Sequence, residues 1–65
     1  MEILVNGKPR SVPAEFNVAQ LLADLNLTGR LATEINHEIV PRSRYTARRL
    51  QSGDRVEIVR AIGGG

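Results

Sequence analysis

Sixty-five residues with no cysteine and no tryptophan make one small domain that must stand on aliphatic packing, without a disulfide framework. A chain of this length buries only about 60% of the surface its unfolded form exposes, which leaves one thin core and little depth for an active-site pocket. Nine basic against seven acidic residues give a mild net charge of +2, and the missing cysteine excludes a persulfide, a Cys-based zinc site and a thiol nucleophile on this chain.

Residues 1–5 read as a strand. Asn6-Gly7 follows, the strongest short hairpin signal, because a type I′ turn needs positive φ at both central positions. Residues 10–12 return as a second strand, and Pro9 and Pro13 beside it cannot donate to a ladder, so a sheet edge is expected. Asn17 suits a helix N-cap, Gln20 completes a capping box, and Phe16 can staple onto Leu21. Val18, Leu21, Leu22 and Leu25 fall at i, i+3, i+4 and i+7, a single helical face. Residues 26–29 close the helix, with Gly29 able to turn left-handed. Residues 31–35 alternate as a third strand, and Asn36-His37 makes a second tight turn into a short strand, 38–40, stopped by Pro41. Residues 42–50 read as irregular or as a helical turn or two, Ser52-Gly53-Asp54 as a turn, and residues 55 to about 62 as the last strand.

The order β-β-α-β-β-β predicts an α+β fold, with a mixed sheet of four to five strands gripping one main helix. A right-handed crossover lets the last strand lie parallel to the first in the sheet centre, which is the β-grasp, or ubiquitin-like, arrangement. The expected organisation is a domain of residues 1–62 and a flexible glycine arm of residues 63–65. Glu2 and Glu57 label the outer face of the two neighbouring strands. By alternation, Leu4, Val59 and Ala61 share that solvent side, and such a cluster suggests a partner surface.

Catalytic constellations are scarce. His37 stands alone at a turn, where a residue tolerant of positive φ is needed, so no metal cluster and no Cys–His pair is expected. Ser11, Ser43 and Ser52 have no nearby histidine with a supporting acid, and none sits at the helix start as a phosphopantetheine attachment site would. The acids are spread as solvated charges would be, and no Gly-rich phosphate loop precedes a helix. Arg42, Arg44, Arg48, Arg49 and Arg55 crowd one stretch with only Asp54 opposing them nearby. They suit an acidic partner or nucleic acid, but only Tyr45 interleaves with them, which gives little support to a stacking platform. With no apolar run approaching the ~20 residues of a membrane span and no signal peptide, a cytoplasmic address is expected.

What remains is the ending, Gly63-Gly64-Gly65. A frayed terminus is the plain alternative. As a working part, three extended residues carry the Gly65 carboxylate roughly 10 Å from the body. Glycine has no Cβ to obstruct a narrow channel in a partner. There ATP can activate the carboxylate as an acyl-adenylate, and a sulfur or nitrogen nucleophile can displace AMP.

The size, the order of elements, Asn6-Gly7, the run Ile35-Asn36-His37-Glu38-Ile39-Val40-Pro41-Arg42, Ser52-Gly53-Asp54-Arg55-Val56 and the terminal glycines together resemble the ThiS-type sulfur carriers of thiamine biosynthesis. The resemblance spans essentially the whole chain, and the Gly-Asp-x-Val/Ile element with a terminal Gly-Gly is its most telling part. It implies a non-enzymatic carrier, monomeric when free. An E1-like adenylyltransferase of the ThiF type would adenylate Gly65 with ATP and Mg. Sulfur from a donor such as a cysteine desulfurase would convert it to a thiocarboxylate, and a thiazole synthase of the ThiG type would take that sulfur. Gly64 and Gly65 match the family's diglycine, Gly63 precedes it, and His37 departs from the glycine many relatives carry in that turn. The chain itself is then expected to bind no cofactor, metal, nucleic acid or membrane. Rival readings are the small subunit of molybdopterin synthase, another β-grasp sulfur carrier or ubiquitin-like modifier, and a β-grasp interaction or nucleic-acid-binding module in which the glycines would be dispensable.

Overall fold

A computed structural model of the chain describes residues 1–60. They form β1 (Glu2–Val5), β2 (Lys8–Ser11), α1 (Val18–Asp24), β3 (Leu31–Ile35), β4 (Glu38–Val40), a single 3-10 turn at Arg42–Arg44, and β5 (Arg55–Arg60). The strands make one five-stranded sheet in the order β2-β1-β5-β3-β4. β5 runs parallel to β1 and antiparallel to β3, which is the expected β-grasp arrangement with the last strand at the centre.

Turn chemistry sets the registers. Asn6 and Gly7 take φ +50 and +83, so a two-residue loop joins Val5 to its partner Lys8. β2 therefore begins at Lys8 rather than at residue 10, and Pro9 sits inside the strand opposite Leu4. The narrow pair Val5–Lys8 exchanges the hydrogen bonds, so Pro9 falls at the next, non-bonded position, with its missing N–H on the open edge. The second hairpin repeats the device without glycine: Asn36 and His37 take φ +52 and +70, and Ile35 faces Glu38.

The helix is only seven residues long and is closed at both ends. Asn17 Oδ1 accepts from Gln20 N at 2.7 Å, and Asn17 N donates to Gln20 Oε1 at 2.9 Å, the two arms of a capping box. Two further N–H groups of the first turn are taken from outside: Val18 donates to the Arg48 carbonyl and Ala19 to that of Tyr45. At the other end Asn26, at φ +58, does the work expected of Gly29. Its N–H donates to Ala23 O at 3.0 Å and that of Leu27 to Leu22 O at 2.9 Å, a Schellman closure. Gly29, also left-handed at φ +87, belongs to the turn that follows.

Val18, Leu21 and Leu22 of α1 pack against Ile3, Ile35, Val56 and Ile58 of the sheet, with Val12, Val40 and Leu50 completing an all-aliphatic core. Thr33 is buried among them, and its hydroxyl donates to the Tyr45 hydroxyl at 3.2 Å. No helix of the described residues is long and apolar enough to cross a membrane.

Two stability changes follow. Asn17→Ala removes the acceptor for Gln20 N–H and the side-chain amide's hydrogen bond to the Thr46 carbonyl, leaves the Gln20 arm of the box in place, and is expected to cost about 1 kcal/mol in urea unfolding. Conversely, His37→Gly relieves a non-glycine residue of the left-handed region and is expected to gain about 1 kcal/mol, seen as a Tm raised by about 4–8 °C.

Candidate functional site

β5 is the strand that leads to the glycines, so the candidate site is built around its two ends. At its start, Gly53 takes φ +87, and the turn docks on β1: Gly53 N donates to Glu2 O at 2.8 Å, and Leu4 N donates to Asp54 O at 2.9 Å. The Asp54 side chain is buried. Its carboxylate accepts from Gln51 N at 2.7 Å and from Asn36 Nδ2 at 3.1 Å, with Arg48 Nη1 at 3.6 Å. Asn36 continues the connection, because its Oδ1 accepts from Arg55 N at 3.0 Å and its own N–H donates to Arg55 O at 2.8 Å. The Gly-Asp element is thus a knot joining β1, the β3–β4 turn and the first residue of β5.

Further along β5, the main-chain ladder to β1 ends where Asn6 N donates to Val56 O at 2.8 Å. The Asn6 side chain then replaces the missing strand: its Oδ1 accepts from Ile58 N at 2.8 Å, and its Nδ2 donates to Ile58 O at 3.2 Å. On the opposite side β3 stays paired as far as Leu31 against Arg60.

The expected surface residues lie on the outer sheet face but not in one patch. Val59 is 61% exposed and pairs across with Ala32 of β3, whereas Leu4 is half-buried and sits level with Arg55. Four positions along β5 separate the two, about 13 Å at strand rise. Ile39, 76% exposed on β4, shares that face by register through Glu34 and Glu57. Ala61, Gly63, Gly64 and Gly65 fall outside the described residues.

One grouping on this face is invisible along the chain. Glu34 and Glu57 stand directly opposite on β3 and β5, and His37 Nδ1 lies 3.9 Å from Glu57 Oε1. One donor atom from each of the three lies within 4.8 Å of the others, close enough to share a cation. Glu34 is half-buried, and His37 and Glu57 are exposed. The signal would have been the outward parity of the two glutamates, which means nothing until the register of β3 on β5 is known.

The arginine stretch disperses. Arg49 pairs with Glu15 at 2.7 Å, and Arg48 turns toward Asp54 and the Arg49 carbonyl. Arg55 borders an open depression of about 220 Å³ with Leu4, Gly7 and His37. Arg44 and Arg48 border another of about 310 Å³ beside β4.

Fold order, the Gly-Asp knot and two asparagine turns gripping a central last strand define a β-grasp protein of the ubiquitin-like class. The model of the ThiS family matches residues 3–65, and the chain belongs to that family. It is similar to the crystal structure of a thiamine biosynthesis protein (ThiS) from Geobacter metallireducens, with a TM-score of 0.88 and 35% identity over all of both chains. A solution structure of a thiamine biosynthesis protein from the same organism matches at a TM-score of 0.80 and 35% identity, over all of this chain and 88% of that one. Among curated proteins it is similar to the thiazole synthases of Paramagnetospirillum magneticum, at 42% identity, and Magnetococcus marinus, at 38%. Each match takes in the whole of this chain and 20% of the relative, so the chain spans about a fifth of the length of those proteins.

Asp54→Ala orphans the Gln51 N–H and the Asn36 amide inside the knot. It is expected to cost about 2–3 kcal/mol in denaturant unfolding, clearly more than the near-zero loss expected for breaking the exposed Arg49–Glu15 pair.

Proposed function

We propose that this protein is a sulfur carrier for thiazole assembly in thiamine biosynthesis, and that the sulfur rides on the carboxyl carbon of Gly65. The observation that carries the reading is the ThiS family match, because it extends over residues 3–65 and so includes Gly63, Gly64 and Gly65. Similarity to a thiamine biosynthesis protein over the full length of both chains supports the pathway.

The chemistry follows from the inertness of a carboxylate. An E1-like adenylyltransferase of the ThiF type, supplied with ATP and Mg, joins a Gly65 carboxylate oxygen to the α-phosphorus and releases pyrophosphate. A sulfur nucleophile then attacks the acyl carbon, and AMP leaves with that oxygen. When the donor is a persulfide, such as that of a cysteine desulfurase, the product is an acyl disulfide. A second thiol reduces it to the thiocarboxylate and is itself oxidised to a disulfide. The acceptor is a thiazole synthase of the ThiG type. Two relatives bearing the name thiazole synthase contain a stretch matching this chain, which supports that pairing. This chain acts as a protein co-substrate, with residues 1–62 as its body and residues 63–65 as a flexible arm that enters the partner. Docking rests on the outer face, with Val59 and Ala61 nearest the arm and Leu4 at its far end.

Co-expression with the cognate adenylyltransferase and sulfur donor is expected to raise the intact mass by the difference between sulfur and oxygen. Deleting Gly65 is expected to abolish that gain, and an unchanged mass with active partners would sink the reading. Val59→Asp is expected to raise the KM for the carrier by about tenfold, measured as pyrophosphate release.

A further inference from the structure

We infer that Asn6 is a positioning residue for the glycine arm, acting through Ile58, in addition to being the first residue of a hairpin turn. The inference rests on the sulfur-carrier reading above.

Hairpin chemistry alone does not require what Asn6 does. A type I′ turn asks only for positive φ at its central positions, which glycine or aspartate also supplies. The Asn6 amide goes further, crossing to β5 and satisfying both the N–H and the carbonyl of Ile58, 52 residues away in sequence. β1 cannot do this with its backbone, because the chain turns away to β2 at this point. The side chain therefore lengthens the parallel ladder from Val56 to Ile58. Ile58 is buried with its side chain in the core, so its backbone groups would otherwise compete for little water.

The consequence is directional. Among the described residues, Ile58 is the last position at which β5 is held from both flanks. Beyond it, among the described residues, β3 alone pairs with Val59 and Arg60. A strand held on one flank is freer to swing about that ladder, and this strand leads to Gly65. Clamping Ile58 narrows the directions from which Gly65 reaches a partner's activating site. Adenylation requires a carboxylate oxygen close to the α-phosphorus and in line with the departing pyrophosphate, and misplacement by about 1 Å can cost on the order of 100-fold in rate. Asn6 is not one of the proposed docking residues and its amide is occupied by Ile58, so its loss acts on the productive orientation rather than on association.

The test uses the full 65-residue chain with its adenylyltransferase and sulfur donor. Asn6→Gly keeps the turn and removes the clamp. Asn6→Asp keeps the acceptor for Ile58 N–H and sets a second oxygen against the Ile58 carbonyl. Leu22→Val is the control, lowering stability from the helix side of the core while leaving both hydrogen bonds between Asn6 and Ile58 in place. In both Asn6 variants, Ile58 amide exchange is expected to accelerate. The kcat for thiocarboxylate formation is expected to fall about 10-fold or more while KM stays within about 2-fold, and Leu22→Val is expected to keep the wild-type kcat. A wild-type kcat in either folded Asn6 variant overturns the inference, as does an equal loss of kcat in Leu22→Val. Failure of the wild-type chain to acquire sulfur is a different result and refutes the carrier reading instead.

Discussion

The structure depends on how its last strand is held. β5 is the last described element of the chain, and it lies between β1 and β3, where its backbone groups need partners on both flanks. Two asparagines make that possible. Asn36 closes on Arg55 from the β3–β4 turn, and Asn6 closes on Ile58 from the β1–β2 turn. Each uses the left-handed backbone of a tight turn to aim an amide at the neighbouring strand. A residue chosen for turn geometry thereby also supplies part of the sheet, and at buried Ile58 it satisfies main-chain groups that would each cost about 1–3 kcal/mol unpaired.

The same economy explains the Gly-Asp element and the arginine-rich stretch. Gly53 permits the left-handed corner that lets Asp54 face inward, where its carboxylate gathers donors from Gln51 and Asn36. Residues 45–48 strap the helix, because their carbonyls accept the N–H groups of Val18 and Ala19 and the Asn17 amide. Leu50 drives into the core behind them. Arg48 and Arg49 look outward from that strap and find Asp54 and Glu15. A crowded run of positive charge is therefore largely a by-product of a segment whose backbone is engaged, which weakens the case for a nucleic-acid surface.

The outer sheet face combines exposed apolar residues with a close acidic–imidazole group. Val59 and Ile39 carry the exposed apolar area, while Leu4 is drawn into the depression beside Arg55. Glu34, His37 and Glu57 lie between Ile39 and the centre of the sheet. The proposed chemistry needs none of these side chains to react. It needs a rigid body that presents one strand end in a constant direction.

Most of the fold is legible along the chain because its signals are local. Asn17 and Gln20 form their capping box within four residues, the apolar positions of α1 repeat with the helix, and Asn6-Gly7 and Asn36-His37 announce their turns through backbone preference. The glycine ending is equally local, and with it the resemblance to sulfur carriers. Other features needed register, which is a property of pairs of strands. Pro9 entered β2 because a two-residue loop placed it at a non-bonded edge position, and Asn26 displaced Gly29 as the helix closer because the helix ended sooner. Leu4 and Val59 fell apart because parallel pairing set Leu4 level with Arg55, and Glu34, His37 and Glu57 came together because antiparallel pairing set the two glutamates opposite. The sequence by itself determined which elements form and which residues could do chemistry, since propensity and turn geometry act over a few residues. Only the tertiary structure decided what two turn asparagines hold, because an amide reaching a strand 52 residues away is defined by distance in space.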